Sequence, residues 1–349
     1  MNKKLIAAAV AAGLAAPMAA QAEITPYAQI QFEIANIDNT PGDSATTVTD
    51  RERGRIGLKG SHDLGNGMKS FAMAEFDFEG GNRDSEFGGT DRTGDVTGVD
   101  SLGETVTGTA TYTQRHALRV REINAGIKGS FGTVTIGTLK SAYKYTGGVK
   151  YDPFVTTTLE ARGNGGMTGT IWGQNGFLSN AVAYQNNFGN MSLWVTYSPD
   201  EADRNGDGEG DDGEYSAALK FSADNFEAFV STVDNGYSSA GGGEYDSTKV
   251  GGQFKSGPHK LSAQYEMTTR NNADTDTMFI GYQMTMGKNT FVAQLGNTDP
   301  DGAAEDTDYM ALGVWHKFNK QTGVFAGYRS TETGPVEETS LSVGLRVAI

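Results

Sequence analysis

A chain of 349 residues with 43 acidic against 28 basic side chains carries a formal net charge of −15, which excludes the basic face that a nucleic-acid partner requires. It has no cysteine, so disulfide staples, thiol chemistry and cysteine-ligated metals are excluded as well. Glycine, at 48 residues, is about twice its usual share.

The first 22 residues, MNKKLIAAAVAAGLAAPMAAQA, join Lys3 and Lys4 to an apolar run from Leu5 to Ala16 and end in Ala20-Gln21-Ala22. A positive start, a short apolar stretch and a small-x-small site predict a signal peptide over 1–22, cleaved after Ala22. The run is too short to cross about 30 Å of hydrocarbon as a helix. The remaining residues, 23–349, read as one exported domain.

That domain alternates with period two, with no helix-period segment. In KLSAQYEMT, Leu261, Ala263, Tyr265 and Met267 share one face and Ser262, Gln264, Glu266 and Thr268 the other. TMFIGYQMTM (277–286) and EYSAALKFS (214–222) repeat the pattern. Strands are predicted near 25–38, 51–62, 68–79, 114–129, 133–139, 178–186, 191–199, 214–222, 226–234, 247–256, 260–269, 276–286, 290–298, 308–318, 322–330 and 339–349. Short turns such as LGNG (64–67) and GKN (287–289) alternate with long loops at 80–113, 140–177 and 200–213. An even number of strands, short turns at one rim, long loops at the other and an apolar outer band predict an all-β fold: a transmembrane antiparallel β-barrel of 16 strands with long extracellular loops. A soluble sandwich also alternates, but it needs no short/long rhythm. An open edge would leave backbone groups unpaired in hydrocarbon. The last strand, with Leu345, Val347 and Ile349 toward lipid, is therefore expected to close the ring on the first.

Three stretches carry a family resemblance. RIGLKGSHDLGNGMKSFAMAEFDFE (55–79) resembles the second strand, first turn and third strand of Gram-negative general porins. REINAGIKGSFGTVTIG (121–137) resembles their fourth strand, second turn and fifth strand, and SNAVAYQNNFGNMSLWVTYSP (179–199) the segment after their constriction loop. The resemblance covers the whole mature chain. It implies a homotrimer of barrels, each with its own water-filled pore narrowed by a third loop folded into the lumen, set among outer-membrane lipid and lipopolysaccharide by the barrel-assembly machinery. The chain departs from many members in ending on Ile349 rather than phenylalanine, and in Thr138, where arginine often follows glycine.

No reaction follows from this, because a pore works by width and field. Parity turns Arg51, Arg53, Arg55 and Lys59 toward the lumen as a basic ladder, opposite Ile56 and Leu58. Arg119 and Arg121 do the same on the fourth strand, but Ile123, Ala125 and Ile127 then require a change of phase, which predicts a bulge near 121–122. Glu75 and Asp77 also point inward. The resemblance makes 140–177 the constriction loop, with Lys140, Lys144, Lys150, Asp152, Glu160 and Arg162. An acidic rim would enrich cations at the mouth and the ladder would favour anions deeper in, and the balance read from sequence leans to cations.

Asp203, Asn205, Asp207, Glu209, Asp211 and Glu214 fit the calcium-loop pattern D-x-[DN]-x-[DN]-G-x5-E. Gly210 replaces its apolar anchor and strands, not helices, flank it, so a solvated acidic loop is the plainer reading. No cofactor is required by this reading, and calcium or another divalent cation at the outer loops is the single class admitted. The four histidines form no metal pair, and Ser61-His62-Asp63 are sequence neighbours rather than an oriented triad, so no enzyme is expected. The function expected is general diffusion of small hydrophilic solutes and ions. The alternatives are a channel selective for a sugar, phosphate or organic acid, or a calcium-binding surface adhesin.

Overall fold

The computed structural model describes residues 23–51, 53–78, 87–99, 105–116, 118–168, 177–199, 213–238, 243–270, 272–302 and 305–349. The segment read as a signal peptide lies outside them. In chain order the strands are β1 (Glu23–Thr40), β2 (Ser44–Thr49), β3 (Gly54–Gly65), β4 (Met68–Phe78), β5 (Phe87–Val99), β6 (Thr105–His116), β7 (Arg119–Gly129), β8 (Gly132–Lys140), β9 (Phe177–Phe188), β10 (Met191–Ser198), β11 (Glu214–Ser222), β12 (Phe226–Ser238), β13 (Gly243–Ser256), β14 (His259–Arg270), β15 (Ala273–Met286), β16 (Asn289–Pro300), β17 (Thr307–Lys317), β18 (Thr322–Thr333) and β19 (Val336–Ala348). A short helix α1 (Ala142–Tyr145) and a 3-10 turn (Gly148–Lys150) lie between β8 and β9.

Sixteen strand positions close a ring of antiparallel neighbours, β2 and β3 sharing one position beside β1. The seam joins β1 to β19: Phe32 faces Leu345, Ile30 faces Val347, and Ile349 and Ala28 exchange backbone hydrogen bonds of 2.8 and 3.0 Å. No edge remains in the ring, as lipid demands. Leu341, Val343, Leu345 and Ile349 point outward with Ile30, Phe32 and Ile34, part of an apolar skin. Large apolar side chains are thus exposed while Gln31, Glu33, Ser262, Gln264 and Glu266 are buried, because the packed interior of this molecule is the lumen.

The structure departs from the sequence-based expectation in four places. The stretch between the first two expected strands contains a further strand, β2, and the strand expected from 51 begins only at Gly54, after Arg51 adopts a positive φ of 48°. The stretch 80–113 is not all loop, since β5 and β6 pair as a separate hairpin beyond the ring. Its Thr- and Gly-rich alternation lacks the apolar face that marks a lipid-facing strand. The 140–177 segment contains the four-residue α1, too short to show a helical period. Finally, not every outer link is long: β14–β15 and β18–β19 turn tightly after Arg270 and Thr333, because their strands continue above the apolar band.

A cationic constriction as the candidate functional site

Strands β3, β4 and β7 build one wall of the lumen. Period-two alternation sends Arg55, Glu75 and Asp77 inward while Ile56 and Leu58 face lipid. On β7 the phase must change, and it does so where expected: Glu75 faces Glu122 but Phe76 faces Val120, so Arg121 is the extra residue of a bulge. Arg121 and Glu122 are consequently both buried, and Ile123 returns to the lipid face. Arg121 bonds Glu75 at 2.9 Å and Asp77 at 3.1 Å, and Asp77 also meets Arg119 at 3.1 Å and Arg55 at 3.7 Å. Tyr27 of β1 donates to Glu75 at 2.9 Å. Lys140 at the end of β8 pairs with Glu122.

The opposite side of the opening is the segment after β8. Ser141 caps α1 by accepting the Lys144 N–H at 3.1 Å. From there the chain crosses the lumen along the far wall and is hydrogen-bonded to one strand after another. Ala142 N–H donates to Ser216 of β11, Tyr143 hydroxyl to Glu266 of β14, and Gly148 N–H to Gln264. Gln294 of β16 donates to Asp152, Tyr309 of β17 to the Leu159 carbonyl, and Gln31 of β1 to the Thr156 carbonyl. The Thr158 N–H completes the series on Glu33 of β1 at 2.9 Å.

An apolar core fastens the segment from beneath. Tyr151, Phe154, Leu159, Ala161 and Met167 pack against Phe229, Phe279, Val292, Tyr309, Ala311, Trp315 and Phe325, inside the barrel. Gly313 and Gly327 face each other across β17 and β18. A Cβ on Gly313 would lie 2.7 Å from the Phe154 ring, and one on Gly327 2.6 Å from Leu159 Cδ1. Missing side chains on the wall thus make the notch into which the loop seats, one concrete use of the chain's glycine.

Between wall and loop lies a cavity of 670 Å³, lined by nine cationic side chains and two carboxylates. The cations are Arg51, Arg53, Arg55, Arg119, Arg121 and Lys140 from the wall side and Lys144, Lys150 and Arg162 from the loop; the carboxylates are Glu75 and Asp77. Two residues expected at the opening are turned away from it. Asp152 is buried within the loop, where it accepts from the Phe154 N–H, the Ala161 N–H and Gln294. Glu160 takes the Thr156 N–H and pairs with Arg51 at 3.6 Å and Arg162 at 3.3 Å. Lys59 stacks over Tyr27 at 5.6 Å and is not part of the cavity lining. Burial, then the neighbouring Lys140 and Lys220, push the Lys150 ammonium below its ordinary value; burial with Arg162, Arg121 and Arg55 does the same to Lys144.

Sequence reasoning missed Glu122, because the bulge that turns it inward breaks parity. It also missed Tyr145 and Phe177, the aromatic floor of the cations: Arg121 and Lys144 lie 4.6 and 4.5 Å from the Phe177 ring centre. Their only signal was aromatic residues at both ends of a polar loop. Of the calcium-pattern residues, Asp203, Asn205, Asp207, Glu209 and Asp211 lie outside the described residues, and Glu214 opens β11.

A family model described as Gram-negative porin matches residues 7–334. The chain belongs to that family.

The major outer membrane protein P.IB of Neisseria gonorrhoeae is 30% identical over 154 residues, a match spanning 42% of this porin and 34% of that relative's length. Among solved structures, an anion-selective porin from Comamonas acidovorans superposes with a TM-score of 0.71 at 19% identity, covering 94% of this chain and 100% of that one. OmpF of Salmonella typhi, in complex with daunomycin, gives 0.68 at 14% identity over 94% and 98% of the two chains. OmpT of Vibrio cholerae, in its trimer form, gives 0.65 at 14% over 94% and 99%. These likenesses establish the 16-stranded barrel fold, and the family places the porin in the Gram-negative outer membrane.

The wall of the constriction leads to a prediction. Arg121→Met removes the main partner of two buried carboxylates, and breaking a buried pair costs about 3–5 kcal/mol when the other charge stays. A wet lumen should bring the loss toward the lower figure, read as a lower unfolding temperature in detergent. Adding Glu75→Gln should restore part of it, because the orphaned charge is then gone.

Proposed function

We propose that this porin is a general diffusion channel for small hydrophilic solutes and that it prefers anions. The observation that carries the reading is the lining of the opening, nine cations against two carboxylates. The Debye length at physiological salt is about 8 Å, so charges facing a narrow opening act on every ion in it. The lean to cations read from sequence rested on an acidic outer rim. At the opening itself the acids add little, since Asp152 is engaged within the loop and Glu160 by Arg162 and by Arg51 of the wall. At the outer end, Asp234, Asp246, Asp276 and Asp299 share by strand parity the outward face of Val230, Val250, Met278 and Leu295. The likeness to a porin titled anion-selective supports the same preference.

The wider assembly follows the family. We read residues 1–22 as the cleaved export signal, and a homotrimer as the working form, which the trimeric Vibrio neighbour supports. Outward acids above the apolar band suit divalent cations bridging to lipopolysaccharide phosphates. No bond is made or broken in this reading, so no catalytic residue is assigned.

The test is a planar-bilayer reversal potential in a KCl gradient. Anion preference makes the dilute side negative, and the opposite sign would overturn the preference. Liposome swelling with sugars of graded size should show a smooth cutoff, whereas saturation would favour a substrate-selective channel.

A further inference from the structure

Below the constriction, toward the short-turn rim, the lumen wall carries lysines in an arrangement that strand pairing does not favour. Lys69 of β4 stands directly opposite Lys128 of β7, and Lys255 of β13 directly opposite Lys260 of β14. All four face inward by parity: Lys69 with Glu75 and Asp77, Lys128 on the phase opposite Ile127 and Ile123, Lys255 with Gln253, and Lys260 with Ser262 and Gln264. Like charges directly opposite on a sheet destabilise it. Two such pairs within one vestibule are a cost that an anion would relieve.

The first pair also lines a defined cavity of 580 Å³. Lys220 of β11 adds a third ammonium, and Gln185, Asn187 and Ser192 bring amide and hydroxyl groups. Trp194 lines the same cavity, and its indole N–H is buried without a hydrogen-bond partner. Carboxylates near these lysines are few. Asp63, opposite Lys69, accepts the Gly65 N–H, and Glu227 pairs with Lys220 at 3.7 Å while its other oxygen accepts the Tyr151 hydroxyl, which leaves Lys69 and Lys128 as the cavity's cations without an ion pair among the described residues. The cavity therefore offers three cations, neutral donors and an unused N–H, in a volume suited to a small metabolite.

We propose that this vestibular cavity is a second, weak anion station in series with the constriction, and that it takes small multivalent oxyanions such as tricarboxylates or phosphorylated sugars. Three ammonium groups around one cavity match a ligand with several charged oxygens better than they match chloride, because each added charge finds its own partner. An anion that has passed the constriction would dwell here before release. The proposal rests on the channel reading above, and the experiment separates the two.

Citrate is titrated into both compartments of a bilayer holding the porin in KCl, and the interruption of single-channel current is recorded. Wild type should show citrate-dependent, saturable current blocks. K69Q/K128Q should weaken the apparent affinity by about tenfold or more, the loss of roughly one charge-assisted contact. K255Q/K260Q removes equal charge from the far wall, outside the cavity, and should shift affinity by less than about twofold. If both double variants weaken the block equally, or neither does, or citrate gives no block in an open channel, there is no local site and the inference fails while the porin reading stands. If no channel forms at all, the channel reading fails and the inference with it. As an independent readout, Trp194 emission in a W172F/W315F background should respond to citrate saturably and lose that response in K69Q/K128Q; no response in any form would also overturn the site.

Discussion

Replacing Arg53, Lys144 and Lys150 together with glutamine should cut the KCl reversal potential to less than about half of the wild-type value, with the channel still open. These three are chosen because none of them forms an ion pair among the described residues, so no carboxylate is orphaned by their loss. Counting Glu122 and Glu160, which hold Lys140 and Arg51, the lining falls from +5 to +2. Field in a narrow opening scales with that sum, whereas width, set by backbone and loop position, does not. An unchanged potential would mean that selectivity is decided elsewhere along the pore. A pH series adds a second reading of the same charges. Burial, and then the crowded cations, lower the Lys144 and Lys150 values, so these ammoniums lose their protons at a pH below the ordinary lysine value of about 10.4. Wild-type anion preference should therefore begin to fall as pH rises toward that range, and the glutamine variant should be flatter over it.

Truncating the loop's anchor should loosen the pore itself. Phe154→Ala removes a ring buried among Phe325, Trp315 and Ala311, and such a change costs about 3–5 kcal/mol in a packed core. The hydrogen bonds that pin the loop, at about 1 kcal/mol each, all remain, so the loop should stay in the lumen but be held less tightly beneath. Expected results are greater open-channel noise and a broader sugar size cutoff in liposome swelling. The barrel's unfolding temperature should move little, since each strand keeps its own ladder of bonds. Gly313→Val should reproduce the phenotype, because its Cβ would lie 2.7 Å from the Phe154 ring; the same Cβ would lie 2.5 Å from the Ala326 carbonyl oxygen of β18, so this variant should also lower the unfolding temperature. If both variants conduct like wild type, the apolar core does not hold the loop in place.

Much of this architecture was legible in the sequence because lipid imposes a simple rule. A strand with hydrocarbon on one side and water on the other must alternate, so Met278, Ile280 and Tyr282 announced their face without any knowledge of neighbours. The bulge at Arg121 was legible for the same reason: two basic residues and three apolar ones could not share one phase. The constriction was legible only as a set of charged residues. Arg51 to Arg55, Arg119 and Arg121 do converge with Lys140, Lys144, Lys150 and Arg162 on one cavity. Asp152 and Glu160 carry the same charge in the sequence as Glu75 and Asp77, yet Asp152 is spent within the loop and Glu160 on Arg51 and Arg162. No periodicity distinguishes these cases.

The sequence by itself determined the barrel, its number of ring strands and the closing of its ends, because these follow from local alternation and from the cost of unpaired backbone in hydrocarbon. Only the tertiary structure decided which charges face the opening. That depends on which carboxylates meet a partner contributed from far along the chain, as Glu75 meets Arg121 and Glu160 meets Arg51. It also depends on a loop seated in a notch whose two glycines lie more than a hundred residues away in sequence. Coulomb energies depend on distance through space, and that distance is settled by packing.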